Sequence, residues 1–144
     1  MKVNDKVFGE LEFDLFWSRP YLFEIFGQTQ KVELVVQTFD DDEITDNQRQ
    51  TFNDLEKNKA KVASDIQVAV FEYYKENFES SVSSISEVAG LVDLKKVKIM
   101  HSDDGEDREV GFIFNADFDP ELGVGVLVTN GEVEEVDVQD IVLG

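Results

Sequence analysis

Apolar and polar residues alternate over positions 6–17. Val7, Gly9, Leu11, Phe13, Leu15 and Trp17 share one face, the period of two expected of a half-buried strand. Ser18-Arg19-Pro20 predicts its end. Two further apolar runs, 21–26 and 31–39, flank Gly27-Gln28-Thr29-Gln30 and read as a hairpin. The first forty residues therefore predict a three-stranded meander.

The period then changes. Thr45-Asp46-Asn47-Gln48 fits a capping box, in which Thr45 accepts from the N3 amide and Gln48 reaches back to the cap. Phe52, Leu55, Val62, Ala63, Ile66, Ala69, Val70, Tyr73, Tyr74 and Phe78 follow at helical spacing. One helix over this whole stretch would be about 50 Å long at ~1.5 Å per residue. A break is expected near Lys57-Asn58. Ser84-Ile85-Ser86-Glu87 is a second capping box, opening a short helix that stops near Gly90.

Strand patterns return over 96–101 and 110–118. Val124, Val126 and Val128 then lead to Asn130-Gly131 and back through 132–138. Asn-Gly is a strong two-residue hairpin signal. Such a turn sets Val128 opposite Val133, yet it also sets Val126 near Glu135, which predicts a bulge or a frayed edge in the last strand. The order is three strands, helices, four strands. The expected architecture is a single α+β domain over 1–144, with a mostly antiparallel sheet of six to seven strands and helices packed on one face. Phe52, Leu55, Ile66, Ala69, Tyr73, Phe112 and Phe114 are the expected core.

Composition narrows the chemistry. The chain has no Cys, which removes disulfides, thiolate catalysis and Cys-based zinc sites. Its one histidine, His101, closes a strand pattern and reads as a surface residue, not a general base. No phosphate loop and no GxGxxG after a strand are present; Gly123-Val124-Gly125 lacks the third glycine and the following helix. No cofactor is expected. Positions 1–6 lack the apolar run of a signal peptide and no stretch approaches a membrane span, so a soluble, cytoplasmic protein without membrane contact is expected.

The net charge is −19, unevenly spread: residues 101–144 hold thirteen acids against one base, Arg108. Such a field repels nucleic acid and steers basic partners toward the surface. Asp103, Asp104, Glu106 and Asp107, with Glu132, Glu134 and Glu135, are the candidate partner-binding residues. Two stretches bear on calcium. Asn115, Asp117, Asp119 and Glu121 alternate as at the start of an EF-hand loop, but glycine is missing at the sixth position and the flanks read as strands. The 102–107 stretch departs from the pattern similarly. Asp40-Asp41-Asp42-Glu43 reads as a solvated lead-in to the first helix.

Gly111-Phe112-Ile113-Phe114, followed by Phe118-Asp119-Pro120-Glu121-Leu122-Gly123-Val124-Gly125-Val126, resembles a family of small bacterial domains of unknown function. Its C-terminal signature runs aromatic-Asp-x-Glu-His-Gly-x-Gly-Val. Phe8-Gly9-Glu10-Leu11 and the 48–52 segment are similar too. Phe118 stands where Trp is common and Leu122 where His is common. A looser similarity to toxin-immunity proteins implies inhibition of a partner. In the signature itself, Gly123 and Gly125 fall on one strand face and read as room for a close-approaching backbone or ring, or as a bulge.

The expectation is a non-enzymatic acidic protein that binds a basic protein, of the immunity type. The alternatives are a carboxylate-based enzyme or a divalent-cation or ligand binder, and a housekeeping domain whose acidity serves solubility.

Overall fold

The strands lie in space in the order in which the chain makes them. The computed structural model describes residues 1–39 and 43–143; Asp40-Asp41-Asp42, and with them most of the expected helix lead-in, lie outside the described residues. Its elements are β1 (Lys2–Asp5), β2 (Gly9–Asp14), β3 (Phe16–Ile25), β4 (Gln28–Val36), α1 (Asp46–Lys57), α2 (Lys59–Asn77), α3 (Ile85–Ala89), β5 (Val92–Ile99), β6 (Glu109–Ala116), β7 (Val124–Thr129), β8 (Glu132–Asp137) and α4 (Asp140–Leu143). The fold is α+β: one eight-stranded sheet in the order β1 to β8, antiparallel except where β4 runs parallel to β5. That junction is where the helices cross over.

The strand count exceeds the six to seven expected because Lys2–Asp5, ahead of the 6–17 pattern, form a strand of their own, and that pattern itself spans a turn, β2 and the start of β3. The Asp5 carboxylate accepts hydrogen bonds from the Val7 and Phe8 amides at 2.9 and 3.0 Å, folding residues 6–8 into a turn between β1 and β2. Leu15, at φ 73°, reverses the chain between β2 and β3. Pro20 does not end a strand. It sits inside β3 opposite Glu33, beyond the point where β2 stops pairing at Ser18, so the ladder does not need an amide on that side.

The pairing registers set one apolar row across the sheet: Trp17 opposite Val36, then Ile99, Val110, Val128 and Val133. Helix residues join the core on this face. The Phe52 ring lies 5.0 Å from Phe8 and 5.7 Å from Tyr21, and Leu55, Ile66 and Val70 are buried. Phe112 and Phe114 are fully buried, whereas Ala69 and Tyr73 are only partly so.

Both capping boxes form. Thr45 Oγ1 accepts from the Gln48 amide and Gln48 Oε1 from the Thr45 amide, each at 3.0 Å, while the Glu87 carboxylate accepts from the Ser84 amide at 2.8 Å. The helix break falls at Asn58 (φ −115°, ψ 20°), which separates α1 from α2.

Two bulges shift the alternation. The first, between Leu94 and Lys96 in β5, lets Val92 and Leu94 share a face with Val97 and Ile99. The second resolves the conflict in β8: Val128 faces Val133 and Leu127 faces Glu135, so Glu134 is the extra residue and Val126 meets Val136 instead of a carboxylate.

Not every helix lies on one face. Gly111 and Gly125 alternate with the core residues Phe112 and Val126, so they point to the other face, and there Val142 of α4 covers them. Lys98 ties this helix down, donating from Nζ to the Val142 and Leu143 carbonyls at 3.1 Å.

Candidate functional site

The acidic loop after β5 is anchored from below. Ser102 is buried; its carbonyl accepts from Thr45 Oγ1 at 2.5 Å and its Oγ from Asn47 Nδ2 at 2.7 Å. Beyond it the chain turns through Gly105 at φ 86°, with the Asp103 amide donating to Glu106 Oε1 at 2.6 Å. Asp103, Asp104, Glu106 and Asp107 are all exposed.

Asn130 joins this loop to the β7–β8 hairpin. Asn130 and Gly131 have φ 51° and 85°, the positive values a tight turn of this kind requires. The Asn130 amide donates to the Arg108 carbonyl at 2.8 Å, its Oδ1 accepts from the Arg108 amide at 2.9 Å, and its Nδ2 donates to Asp107 at 3.1 Å. Asp107, Glu109 and Glu134 are thereby gathered. Burial first, then the charges of Glu134 and Asp107, hold the Glu109 carboxyl above its ordinary range.

The three β8 candidates have different surroundings. Glu134 accepts from Thr129 Oγ1 at 3.1 Å, Glu132 meets Lys61 Nζ at 3.4 Å, and Glu135 stands exposed opposite Leu127. β8 is a free sheet edge. Its carboxylates and bulge are the features that deter edge-to-edge pairing, so part of the acidity has an architectural reason.

Arg108, the one base of the acidic third, does not project from the surface as a lone cation. Its Nε donates to Asn47 Oδ1 at 2.9 Å and its Nη1 to Asp54 at 3.0 Å. Beside it opens a cleft of about 310 Å³ between the α1–α2 break and the hairpin. Leu55, Val62, Val110 and Val128 supply its apolar lining, with Asp54, Lys61, Arg108 and Glu132 as its charged groups. Sequence reasoning identifies the acids but misses Asn47, Arg108 and Asn130 as organisers. Asn47 reads only as a helix-start residue, and nothing in its spacing shows that its amide is buried under a loop 55 residues away.

The glycines of the C-terminal signature have a definite task. A β-carbon on Gly125 would stand 2.9 Å from the Val138 carbonyl oxygen and 3.1 Å from Gln139 Cα. Gly123, at φ 59°, lies against the Gln139 side chain and the Phe114 carbonyl. Gln139 Nε2 donates to that carbonyl at 2.7 Å, and the Gln139 amide donates to the Leu122 carbonyl at 3.0 Å. The glycines thus seat the turn into α4: Gly125 gives the close backbone approach expected of it, whereas Gly123 precedes β7 instead of sharing a strand face with Gly125.

Residues 7–143 match the family described as Domain of unknown function (DUF6985). The chain belongs to that family. No curated protein and no solved structure matches it.

In this DUF6985 chain Asp119, one of the residues considered for calcium, serves a turn, and Asn115 lies within β6. Asp119 accepts from the Leu122 amide through its carboxylate at 3.3 Å and from the Gly123 amide through its carbonyl at 2.8 Å. Among the described residues no three His, Asp or Glu side chains converge as metal ligands would. His101 follows β5, half-buried, its ring edge-on to Phe39 at 5.3 Å and its amide donating to Gln37 Oε1 at 3.0 Å. Among the described residues no helix is long and apolar enough to cross a membrane.

Proposed function

We propose that this DUF6985 chain is a non-enzymatic binding protein that presents one end of its sheet to a basic protein, as an inhibitor of the immunity type would. The supporting observation is the apolar row from Trp17 to Val133. Just beyond it, at the same end, lie the 102–107 loop, the Asn130-Gly131 turn and the β2–β3 turn. The first supplies carboxylates. The last supplies Leu15, which is 88% exposed, beside the partly exposed Phe13. A charged surround with apolar anchors is the composition of a specific protein interface, and carboxylates steer a basic partner into register.

The test is neutralisation in two groups. One variant carries Asp103→Asn, Asp104→Asn, Glu106→Gln and Asp107→Asn; the other carries Glu132→Gln, Glu134→Gln and Glu135→Gln. Capture of basic proteins from the source cell and the salt dependence of association are measured for each. The loop variant is expected to associate about tenfold more slowly and with a shallower salt dependence. If both variants bind as fast and as tightly as the parent, the carboxylates are a solvated surface and the proposal fails.

A further inference from the structure

The cleft beside Arg108 differs in chemistry from the surface around it. The chain carries a net charge of −19, yet the cleft is lined by two cations and two carboxylates, Lys61 and Arg108 against Asp54 and Glu132. They form two pairs, Arg108 to Asp54 at 3.0 Å and Lys61 to Glu132 at 3.4 Å, with Asp65 also on Lys61 at 2.8 Å.

The Arg108 guanidinium is set in place before any ligand arrives. Asn47, itself only 4% exposed, holds Nε and is fixed in turn by Ser102. The backbone on either side of Arg108 is locked to Asn130. No hydrogen bond from Nη2 is formed among the described residues. Leu55, Val62, Val110 and Val128 are all buried side chains of the core that surface here. The volume, about 310 Å³, lies at the small end of ligand sites, which run from about 300 Å³ upward.

We propose that this cleft binds a small zwitterion with an apolar side chain, of the α-amino-acid class. The ligand carboxylate would take the outward edge of the Arg108 guanidinium, its ammonium Asp54 or Glu132, and its side chain the valine and leucine lining. A ligand that is neutral overall is not repelled by the field of the protein, and each of its charges meets an opposite one, the guanidinium being already held in position. Such preorganisation reduces the ordering that binding costs. The inference does not depend on the partner-binding reading, since it concerns a free small molecule.

The experiment is titration of the isotope-labelled protein with L-leucine and L-phenylalanine, followed by backbone amide shifts. Two one-charge probes are run beside them: N-acetyl-leucine, which lacks the ammonium, and isoamylamine, which lacks the carboxylate. Glycyl-leucine separates a free amino acid from a peptide C-terminus. Saturable shifts at Arg108 and at 128–132 are expected, with Kd on the order of 0.1–1 mM for a ligand of about nine non-hydrogen atoms. The one-charge probes should bind at least about tenfold more weakly. Asn58→Trp, at an exposed position on the rim, should fill the mouth and abolish the shifts. The absence of saturable shifts with either amino acid up to about 10 mM overturns the proposal, as does equal binding of the one-charge probes. Undiminished binding by a folded Asn58→Trp variant overturns the assignment equally.

Discussion

Gly125 faces the Val138 carbonyl so closely that a β-carbon in its place would lie 2.9 Å from the oxygen. The obstacle is backbone, which yields less readily than the end of a side chain. Gly125→Ala is therefore expected to cost about 1–3 kcal/mol of stability, measured by urea unfolding, and to loosen α4 first. Amide exchange at 140–143 should accelerate more than exchange in β6. A neutral substitution would mean that the 138–139 turn can retreat without loss.

Thr45 has two tasks, capping α1 and holding the Ser102 carbonyl. Thr45→Ala is expected to cost about 1–2 kcal/mol, and Thr45→Ser, which keeps the hydroxyl, much less. Chemical denaturation of the two variants side by side checks this.

Glu109 gives a pH effect of known sign. Its carboxyl is raised in the folded protein from 4.5. It contributes stability that is fully present below the unfolded value and lost as pH rises through the folded one. Glu109→Gln removes the charge, so the variant should be more stable than the parent at pH 7, the gain shrinking to nothing toward pH 4. Melting temperatures across that range test it; a variant less stable at pH 7 contradicts it.

Asp5 has the opposite sign. Burial alone would raise its carboxyl, but the Arg49 guanidinium and the Phe8 and Val7 amides hold it below its ordinary 3.8. The stability it contributes is present above that value and lost as pH falls through the folded one. Asp5→Asn should cost about 1.5–3 kcal/mol at pH 7 and converge with the parent in strong acid, as pH-dependent unfolding would show.

Local signals in the sequence carried well. The Thr45 and Ser84 boxes, the interruption at Asn58 and the Asn130-Gly131 turn are each set by a few neighbouring residues, and each appears in the structure. The clash of register between Val126 and Glu135 pointed to a bulge or a frayed edge, and a bulge forms. Features that depend on distant neighbours were not legible. The alternation over 6–17 reads straight through what is a turn, and the turn changes which residues are buried: Phe8, on the face read as polar, packs on Phe52, while Phe13 and Leu15 of the apolar face are exposed. Pro20 reads as a stop until β2 is known to end before it. Val92 and Leu94 fall out of phase with Val97 and Ile99 until the β5 bulge is placed. The candidate carboxylates were legible as charges, but their gathering at Glu109 depends on Asn130. The cleft arises from the Asn58 bend facing a hairpin more than 70 residues away.

The parallel junction between β4 and β5 also governs how the molecule can assemble. Every other pairing joins strands that are consecutive in the chain and linked by short connections, so each closes a small loop at low entropic cost. Only this one must bring together segments separated by the whole helical crossover, and loop-closure cost rises with that separation. The chain should therefore behave as two meanders, 1–36 and 92–143, each quick to pair within itself and slow to join. The helices are their tether as well as their cover: a backbone cut within the crossover would leave two pieces whose reassembly depends on concentration.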